Sequence, residues 1–188
     1  MFSSNVFCVA QPLRFDPIAE AQRQWVSHGL DEPAAMAAAT SIMRAQQLLN
    51  AAIEHALEPF ALTFSRWELL MLLSFASEGR LPITKAGERL MIHPTGVSKL
   101  VDKLEAQGFV ARVPDETDRR TTLATLLPAG AAVAARAAAA VAQVRFGIDV
   151  EDADLQTLVE VLSRLRASAG DFVVEPSAST SPEQRGRP

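Results

Sequence analysis

Apolar residues recur every three or four positions along most of this 188-residue chain, a spacing typical of amphipathic helices. A first long helix is predicted from about Pro33 to Leu57, and Pro59 prevents it from continuing. A last helix is predicted from about Asp152 to Ala169. A short helix from Ile18 to His28 is expected within an otherwise irregular leader. The pattern therefore predicts a mainly helical protein.

A second long helix is predicted to begin near Phe64, where the sequence resembles a capped helix start. Ser65 and Glu68 have the spacing of a capping box. Phe64 and Leu69 have the spacing of the hydrophobic staple that accompanies such a box. This helix is expected to extend to Gly79.

Two shorter helices are predicted next, the first from Thr84 to about Leu90 with Thr84 as its cap. The following helix is expected to start at His93 and Pro94. One face of that helix is apolar and is formed by Val97, Leu100, Val101 and Leu104. Gly108 lies where a left-handed C-cap is needed, and Phe109 is placed to contact Leu104 across it.

A β-hairpin is predicted after these helices. Its strands are Phe109–Val113 and Thr121–Leu127, joined by the seven-residue loop Pro114–Arg120. Pro128 then opens a long helix that is expected to reach Phe146. A short helix, a second helix and a charged hairpin in this order form a winged helix-turn-helix. The predicted fold class is therefore mainly α with a small β-hairpin wing.

Composition supports a packed helical protein in a reducing compartment. Hydrophobic residues make up 48% of the chain, tyrosine is absent, and Cys8 is the one cysteine in the sequence. The first residues lack the basic start of a secretory signal, and no apolar run has the length of a membrane span. We therefore expect a soluble, cytoplasmic protein without a membrane partner.

The distribution of charge is compatible with DNA binding but does not by itself indicate it. Between Thr84 and Arg120, seven cations against six anions give a net charge of +1, and the total of −4 leaves −5 for the rest. The seven cations are Lys85, Arg89, Lys99, Lys103, Arg112, Arg119 and Arg120. Few phosphate contacts per chain favour a dimer, because two linked binding units gain affinity together.

The outer face of the helix after His93 is the candidate DNA-reading surface. In a helix-turn-helix, the start of the second helix meets base edges in the major groove. The candidate DNA-binding residues are Lys85, His93, Pro94, Thr95, Ser98, Lys99, Lys103, Asp118, Arg119 and Arg120. The alternative is that these side chains of the helix form an ordinary solvated face that also includes Asp102.

The loop of the hairpin is the second candidate surface, because it is longer than a tight turn requires. Adjacent arginines on a protruding hairpin suit the narrow minor groove of A·T-rich DNA. The sequence leaves open which of Arg119 and Arg120 would enter that groove. Asp118 is placed to pair with an arginine and stiffen the tip. The alternative is an exposed loop of ion pairs.

At these residues the chain resembles the MarR family of bacterial transcriptional regulators, in its actinobacterial type. The likeness spans most of residues 33–172. Its wing pattern is the run Asp115-Glu116-Thr117-Asp118-Arg119-Arg120, followed by Leu126, Pro128, Ala129 and Gly130. Three positions depart from the family pattern. Glu116 replaces a frequent proline, Leu127 a frequent threonine, and His93 a frequent serine or aspartate cap.

The resemblance implies a homodimeric DNA-binding regulator. Residues 1–33 would be an extension, 34–62 a dimerisation helix, 63–127 the winged domain, 128–172 further dimerisation helices and 173–188 a disordered tail. Two winged domains would face consecutive major grooves of a pseudo-palindromic operator, about 34–36 Å apart. Repression of a promoter, with release by a small aromatic or anionic effector, would follow. Activation is equally open, and no cofactor is implied.

The residues present give less support to other functions. A redox switch at Cys8 lacks the tyrosine neighbours that stabilise such a thiolate in relatives. A metal site lacks clustered ligands, since His28, His55 and His93 are scattered. No catalytic motif is present, which argues against an enzyme. The net negative charge and Glu116 leave open the alternative of a winged-helix module that binds protein instead of DNA.

Overall fold

Helices form most of residues 13–118 and 120–173, which are the residues that the computed structural model describes. The helices within these residues are α1 (Pro17–Ser27), α2 (Pro33–Leu57), α3 (Phe64–Phe75), α4 (Ile83–Leu90), α5 (Pro94–Ala106), α6 (Pro128–Gln143) and α7 (Asp152–Ser168). The strands are β1 (Arg80–Pro82), β2 (Val110–Pro114) and β3 (Thr122–Leu126). The predicted fold class is confirmed, and the chain divides into two units, Met1–Ile148 and Asp149–Pro188.

Helix α2 has the predicted bounds and is buried only toward its end. Ile53 and Leu57 are buried in the core, whereas Ile42 and Met43 are 42% and 64% exposed. A 3₁₀ turn that contains Pro59 follows directly and ends the helix. The apolar stripe of α2 thus enters the core in its last turns and leaves its first half uncovered within the single chain.

The start of α3 differs from the prediction, because Thr63 rather than Ser65 is its N-cap. The Arg66 N–H donates to Thr63 Oγ1 at 3.4 Å, and the Phe64 N–H donates to a carboxylate oxygen of Glu54 at 2.8 Å. The predicted capping box of Ser65 and Glu68 is therefore wrong. Thr63 has the extended backbone that an N-cap needs, whereas Ser65 already lies inside the helix.

The end of α3 also differs from the prediction, and a third strand follows it. The helix stops at Phe75, and the 3₁₀ turn Ser77–Gly79 leads into β1. Strand β1 pairs antiparallel with β3, so that the sheet order is β1-β3-β2. Its three residues are too few to show an alternating pattern in the sequence.

Helix α4 begins one residue before the predicted cap. Pro82 occupies the N-cap position of this helix without a side-chain hydrogen bond, and Thr84 lies inside the first turn. The prediction of Thr84 as a cap is therefore wrong. Strand β1 explains why the helix starts earlier than predicted, because the strand ends at Pro82 and the helix follows it directly.

The core of the winged domain lies between α3, α5, α6 and the sheet. Val97, Val101 and Leu104 of α5 are fully buried, as the predicted apolar face requires. Gly108 has φ +73°, and the Phe109 N–H donates to the Leu104 carbonyl at 2.9 Å, which confirms the predicted C-cap. The second helix of the helix-turn-helix is thereby fixed at its C-terminal end.

Helix α6 is anchored to the sheet at its first turn. The Leu127 N–H donates to the Phe109 carbonyl at 2.9 Å. A Cβ atom placed on Gly130 would lie 2.1 Å from that same carbonyl oxygen, so a glycine is required there. The helix ends at Gln143, and the predicted end at Phe146 is wrong, because Phe146 adopts a left-handed backbone with φ 55°.

Helix α7 belongs to the second unit and has no buried residue. Asp152 and Asp154 lie in its first turn, where the helix dipole favours negative charge. Its bounds agree with the prediction to within one residue. Within residues 13–118 and 120–173, no helix combines the length and the apolarity needed to cross a membrane.

Candidate nucleic-acid interface

The start of α5 is organised by His93. The Thr95 N–H donates to His93 Nδ1 at 3.2 Å, and the Thr95 hydroxyl oxygen lies 3.0 Å from the same nitrogen. Pro94 is the first residue of the helix. A backbone N–H at this position has no acceptor within the helix, so a proline there costs no hydrogen bond. The prediction that the helix starts at His93 and Pro94 is confirmed. Thr95 is consequently exposed at the leading end of the helix.

The remaining predicted residues of α5 lie on the side opposite its core. Lys99 and Lys103 are exposed, and Ser98 is half-buried. Lys85 is exposed on α4 and forms an ion pair with Glu88 at 2.9 Å, so its charge is already paired. The structure thus brings together the candidates on α5 and leaves Lys85 on a neighbouring helix. That these residues contact DNA stays a prediction.

The tip of the wing is ordered by two aspartates. Asp115 Oδ1 accepts hydrogen bonds from the Thr117 hydroxyl at 2.6 Å and from the N–H groups of Thr117 and Asp118 at 2.7 and 3.2 Å. Asp118 accepts from the Arg120 N–H and the Thr121 hydroxyl, each at 3.0 Å. Asp118 therefore stiffens the tip through these groups. The side chain of Arg120 is exposed, and Arg119 lies outside the described residues.

The hydrogen bonds at Asp115 also affect its ionisation. The Thr117 hydroxyl, followed by the N–H groups of Thr117 and Asp118, stabilises the charged form and holds the pKa of Asp115 below its ordinary value. The carboxylate therefore keeps its charge, and its hydrogen bonds in the turn, to a lower pH than an ordinary aspartate would.

Arg112 is a structural residue of the interface that sequence reasoning missed. From strand β2 its guanidinium donates to Asp102 at 2.6 Å, to Glu105 at 2.5 Å and to the Ser98 carbonyl at 3.0 Å. Glu105 also accepts from the Arg112 N–H at 3.1 Å. Burial by itself lowers the pKa of Arg112, but its bonds and attraction to the two carboxylates raise the pKa overall.

This arrangement changes the interpretation of Asp102 and Glu105. In the sequence they are two carboxylates three positions apart on one helix, and no spacing links them to the strand. In the structure they attach the base of the wing to the flank of α5 through Arg112. The acidic side of α5 therefore faces the base of the wing, where one arginine offsets part of its negative charge. Lys99 and Lys103 occupy its other flank, so the two sides of the helix differ in charge.

The residues of the rival functions are placed as follows. Cys8 lies outside the described residues, so the redox hypothesis stays untested. His28 contacts the Gln24 carbonyl, His55 lies 3.6 Å from Glu58, and His93 caps α5. Each of the three histidines therefore has a local contact of its own.

The geometry defines a class: a winged helix-turn-helix with an exposed second helix and a braced wing. A family model described as the MarR family matches residues 62–121. No curated protein matches the chain. Among solved structures, Sco5413, a MarR family transcriptional regulator from Streptomyces coelicolor, is 41% identical. That match covers 75% of this chain and 99% of Sco5413, with a TM-score of 0.69.

Two further regulators match at lower identity. AbsC, a MarR family transcriptional regulator from Streptomyces coelicolor, is 25% identical over 72% of this chain and 93% of its own, with a TM-score of 0.66. The transcriptional repressor CouR, bound to a 23-mer DNA duplex, is 25% identical over 66% and 89%, with a TM-score of 0.61. CouR from Rhodococcus jostii RHA1 bound to p-coumaroyl-CoA is 26% identical over 71% and 92%, with a TM-score of 0.59.

The chain belongs to the MarR family of winged-helix, DNA-binding transcriptional regulators. Members of this family are in general regulators and not enzymes.

Proposed function

We propose that the protein is a homodimeric, sequence-specific DNA-binding repressor that a small molecule releases from its operator. The observation that carries this proposal is the outer face of α5. Val97, Val101 and Leu104 on its core side are fully buried. Thr95, Lys99 and Lys103 remain exposed next to an ordered wing. A helix held in this way can enter the major groove with its first turn against base edges.

The wing would hold the flanking minor groove. Arg120 is exposed at a tip where Asp115 and Asp118 accept hydrogen bonds from neighbouring residues of the turn. A rigid tip loses little conformational entropy on binding, which favours the bound state. Either Arg119 or Arg120 would enter the groove, as the sequence predicts.

Dimerisation is supported by an apolar stripe that the single chain leaves uncovered. Leu158, Val159, Val161 and Leu165 of α7 are 42%, 63%, 47% and 51% exposed. A helix with such a stripe and no buried residue needs a partner surface, because isolated helices of this length are marginal in water. We assign residues 34–62 and 128–172 to the dimer arms and residues 63–127 to DNA binding.

Repression and release are supported by CouR, which is a repressor in its DNA complex and binds p-coumaroyl-CoA in another structure. For this chain we propose an effector of the same broad kind, aromatic or anionic. The compound would bind between the dimer arms and the winged domain, and thereby change the spacing of the two α5 helices.

DNA binding is tested by a mobility shift with the DNA upstream of the protein's own gene. We expect retarded complexes at low salt, and we expect Arg119→Ala with Arg120→Ala to weaken them by at least roughly tenfold. Light scattering should still show a dimer. Complexes that never form would favour the alternative of a protein-interaction module, which the exposed Glu116 and the net charge of −4 would suit.

The dimer is tested by placing charge on the stripe of α7. Val159→Asp with Leu165→Asp is expected to give monomers in light scattering and to abolish retarded complexes, because carboxylates cannot be buried unpaired. Arg164→Asp on the opposite, exposed face is the matched control and should remain dimeric. A dimer that survives the double substitution would remove α7 from the interface.

A further inference from the structure

We propose that the groove between the first turn of α3 and the helix α5 holds a phosphate of the DNA backbone, with Arg66 as its central ligand. The groove has a volume of about 530 Å³ and is lined by Thr63, Arg66, Lys99, Leu100 and Lys103. It lies along the flank of α5 that faces away from Arg112 and the wing. This assignment rests on the proposed DNA binding and adds a contact that the sequence did not indicate.

Arg66 is held in place by neutral groups. Its Nε donates to Thr63 Oγ1 at 3.2 Å, and its Nη1 donates to Gln107 Oε1 at 3.3 Å. Gln107 is itself fixed, because its amide donates to the Ala61 carbonyl at 3.0 Å. The guanidinium is therefore oriented before binding and keeps N–H groups for a further acceptor.

Within the described part of the chain, the charge of this flank has no carboxylate partner, unlike the charges of Arg112 and Lys85. Arg112 pairs with two carboxylates, and Lys85 pairs with Glu88. Among the residues that the structure describes, Arg66, Lys99 and Lys103 form no ion pair. We call these three residues the cation row. Lys99 and Lys103 lie one helical turn apart, so the row follows the axis of α5.

Arg66 lines two grooves, and the one beside α5 is the groove that favours an anion. On its other side, a second groove shares Arg66 but contains Glu54 and Glu58, which would repel a phosphate. Glu54 and Thr63 already accept from the first N–H groups of α3, so the end of this helix has few free donors. The side chains of the cation row, rather than the helix dipole, would therefore bind the phosphate.

The position of the row relative to α5 suits a DNA strand. A helix in the major groove lies between the two backbones that border the groove, which is about 12 Å wide. The wing is attached to one flank of α5, where Arg112 forms ion pairs with both Asp102 and Glu105. The opposite flank would meet the other backbone, and that flank is the one with unpaired cations.

The experiment is the salt dependence of binding to a fluorescent duplex, measured by anisotropy between low and physiological salt. For Arg66→Gln we expect roughly tenfold weaker binding on specific and random duplexes alike. We also expect the slope of log affinity against log salt to decrease in magnitude by about one per protomer. Arg66→Lys should retain most of the slope, and Arg23→Gln on α1 is the matched control that should leave binding unchanged.

The outcomes separate this inference from the proposed function. Wild-type protein that binds no duplex refutes the proposed function itself. Wild-type protein that binds, with an unchanged slope for a folded Arg66→Gln, overturns the inference alone. If Arg66→Gln melts early, Lys103→Gln replaces it, and an unchanged slope in that variant is equally decisive. Stabilisation of the wild type by inorganic phosphate that depends on Arg66, with an unchanged DNA slope, would identify a small-anion site and refute the DNA assignment.

Discussion

Arg112 offers the sharpest test of how the wing is joined to the DNA-reading helix. Replacement of Arg112 by methionine keeps much of the apolar stem but removes the guanidinium. The variant loses the bonds to Asp102, Glu105 and the Ser98 carbonyl. Two carboxylates on the flank of α5 are then left without their cation. We expect a small loss of stability and a larger loss of DNA affinity.

The magnitude of the stability loss follows from exposure. The side chains of Asp102 and Glu105 are 62% and 42% exposed, so water can solvate both carboxylates once Arg112 is gone. Such ion pairs contribute about 0.2–1 kcal/mol each, and the carbonyl bond adds a comparable amount. A total of roughly 1–2 kcal/mol corresponds to a decrease in Tm of about 2–8 °C for a chain of this size.

The loss of DNA affinity has two physical causes. The carboxylates would face phosphates without a counter-charge, and the wing would no longer be fixed relative to α5. We expect the affinity for DNA to decrease at least roughly tenfold. The loss of stability does not explain such a decrease, because the variant is still fully folded at the temperature of the assay. Anisotropy with a labelled duplex measures this change, and calorimetry measures Tm on the same samples.

Two further variants separate the causes. Asp102→Asn with Glu105→Gln, added to Arg112→Met, removes the repulsion but leaves the wing unattached, so we expect a partial recovery of affinity. Arg23→Met, which breaks an exposed ion pair with Glu20 on α1, is the matched control and should bind DNA normally. If Arg112→Met retains both the wild-type Tm and the wild-type affinity, the idea that Arg112 braces the wing is refuted.

Two other predictions concern the motif that marks the wing. Gly130→Ala should cost roughly 2–3 kcal/mol, seen as an early thermal melt, because the added Cβ would overlap the Phe109 carbonyl. Gly96→Ala, whose Cβ would find ordinary contact at 3.7 Å, should instead melt slightly later, and equal melting of the two variants would contradict the close approach. Asp115 should titrate below the ordinary aspartate value by carboxyl NMR, because its charged form accepts from Thr117. Its stabilisation of the turn is thus present above the ordinary pKa and lost as the pH falls through the lowered one. An ordinary titration would show that these hydrogen bonds do not form in solution.

The sequence by itself determined which helices form and the order in which they follow one another along the winged domain. The bounds of α2 and α7 followed from apolar spacing and proline, because burial on one face imposes a helical period. The ends of α5 followed from His93, Pro94 and Gly108, since capping depends on residues within a few positions of each other. The exposed outer face of α5 followed in turn from its apolar face.

The tertiary structure decided what depends on residues far apart in the chain. Glu54 reaches the start of α3 from α2, and Thr63 rather than Ser65 became the cap. Strand β1 forms because β3 supplies its hydrogen-bond partners. A segment of three residues is too short for its sequence to predict that pairing. Arg112 connects a strand to the helix before it, and Arg66 faces α5 across a groove. Long-range contacts of this kind have no period or spacing in the sequence, because folding alone brings their partners together.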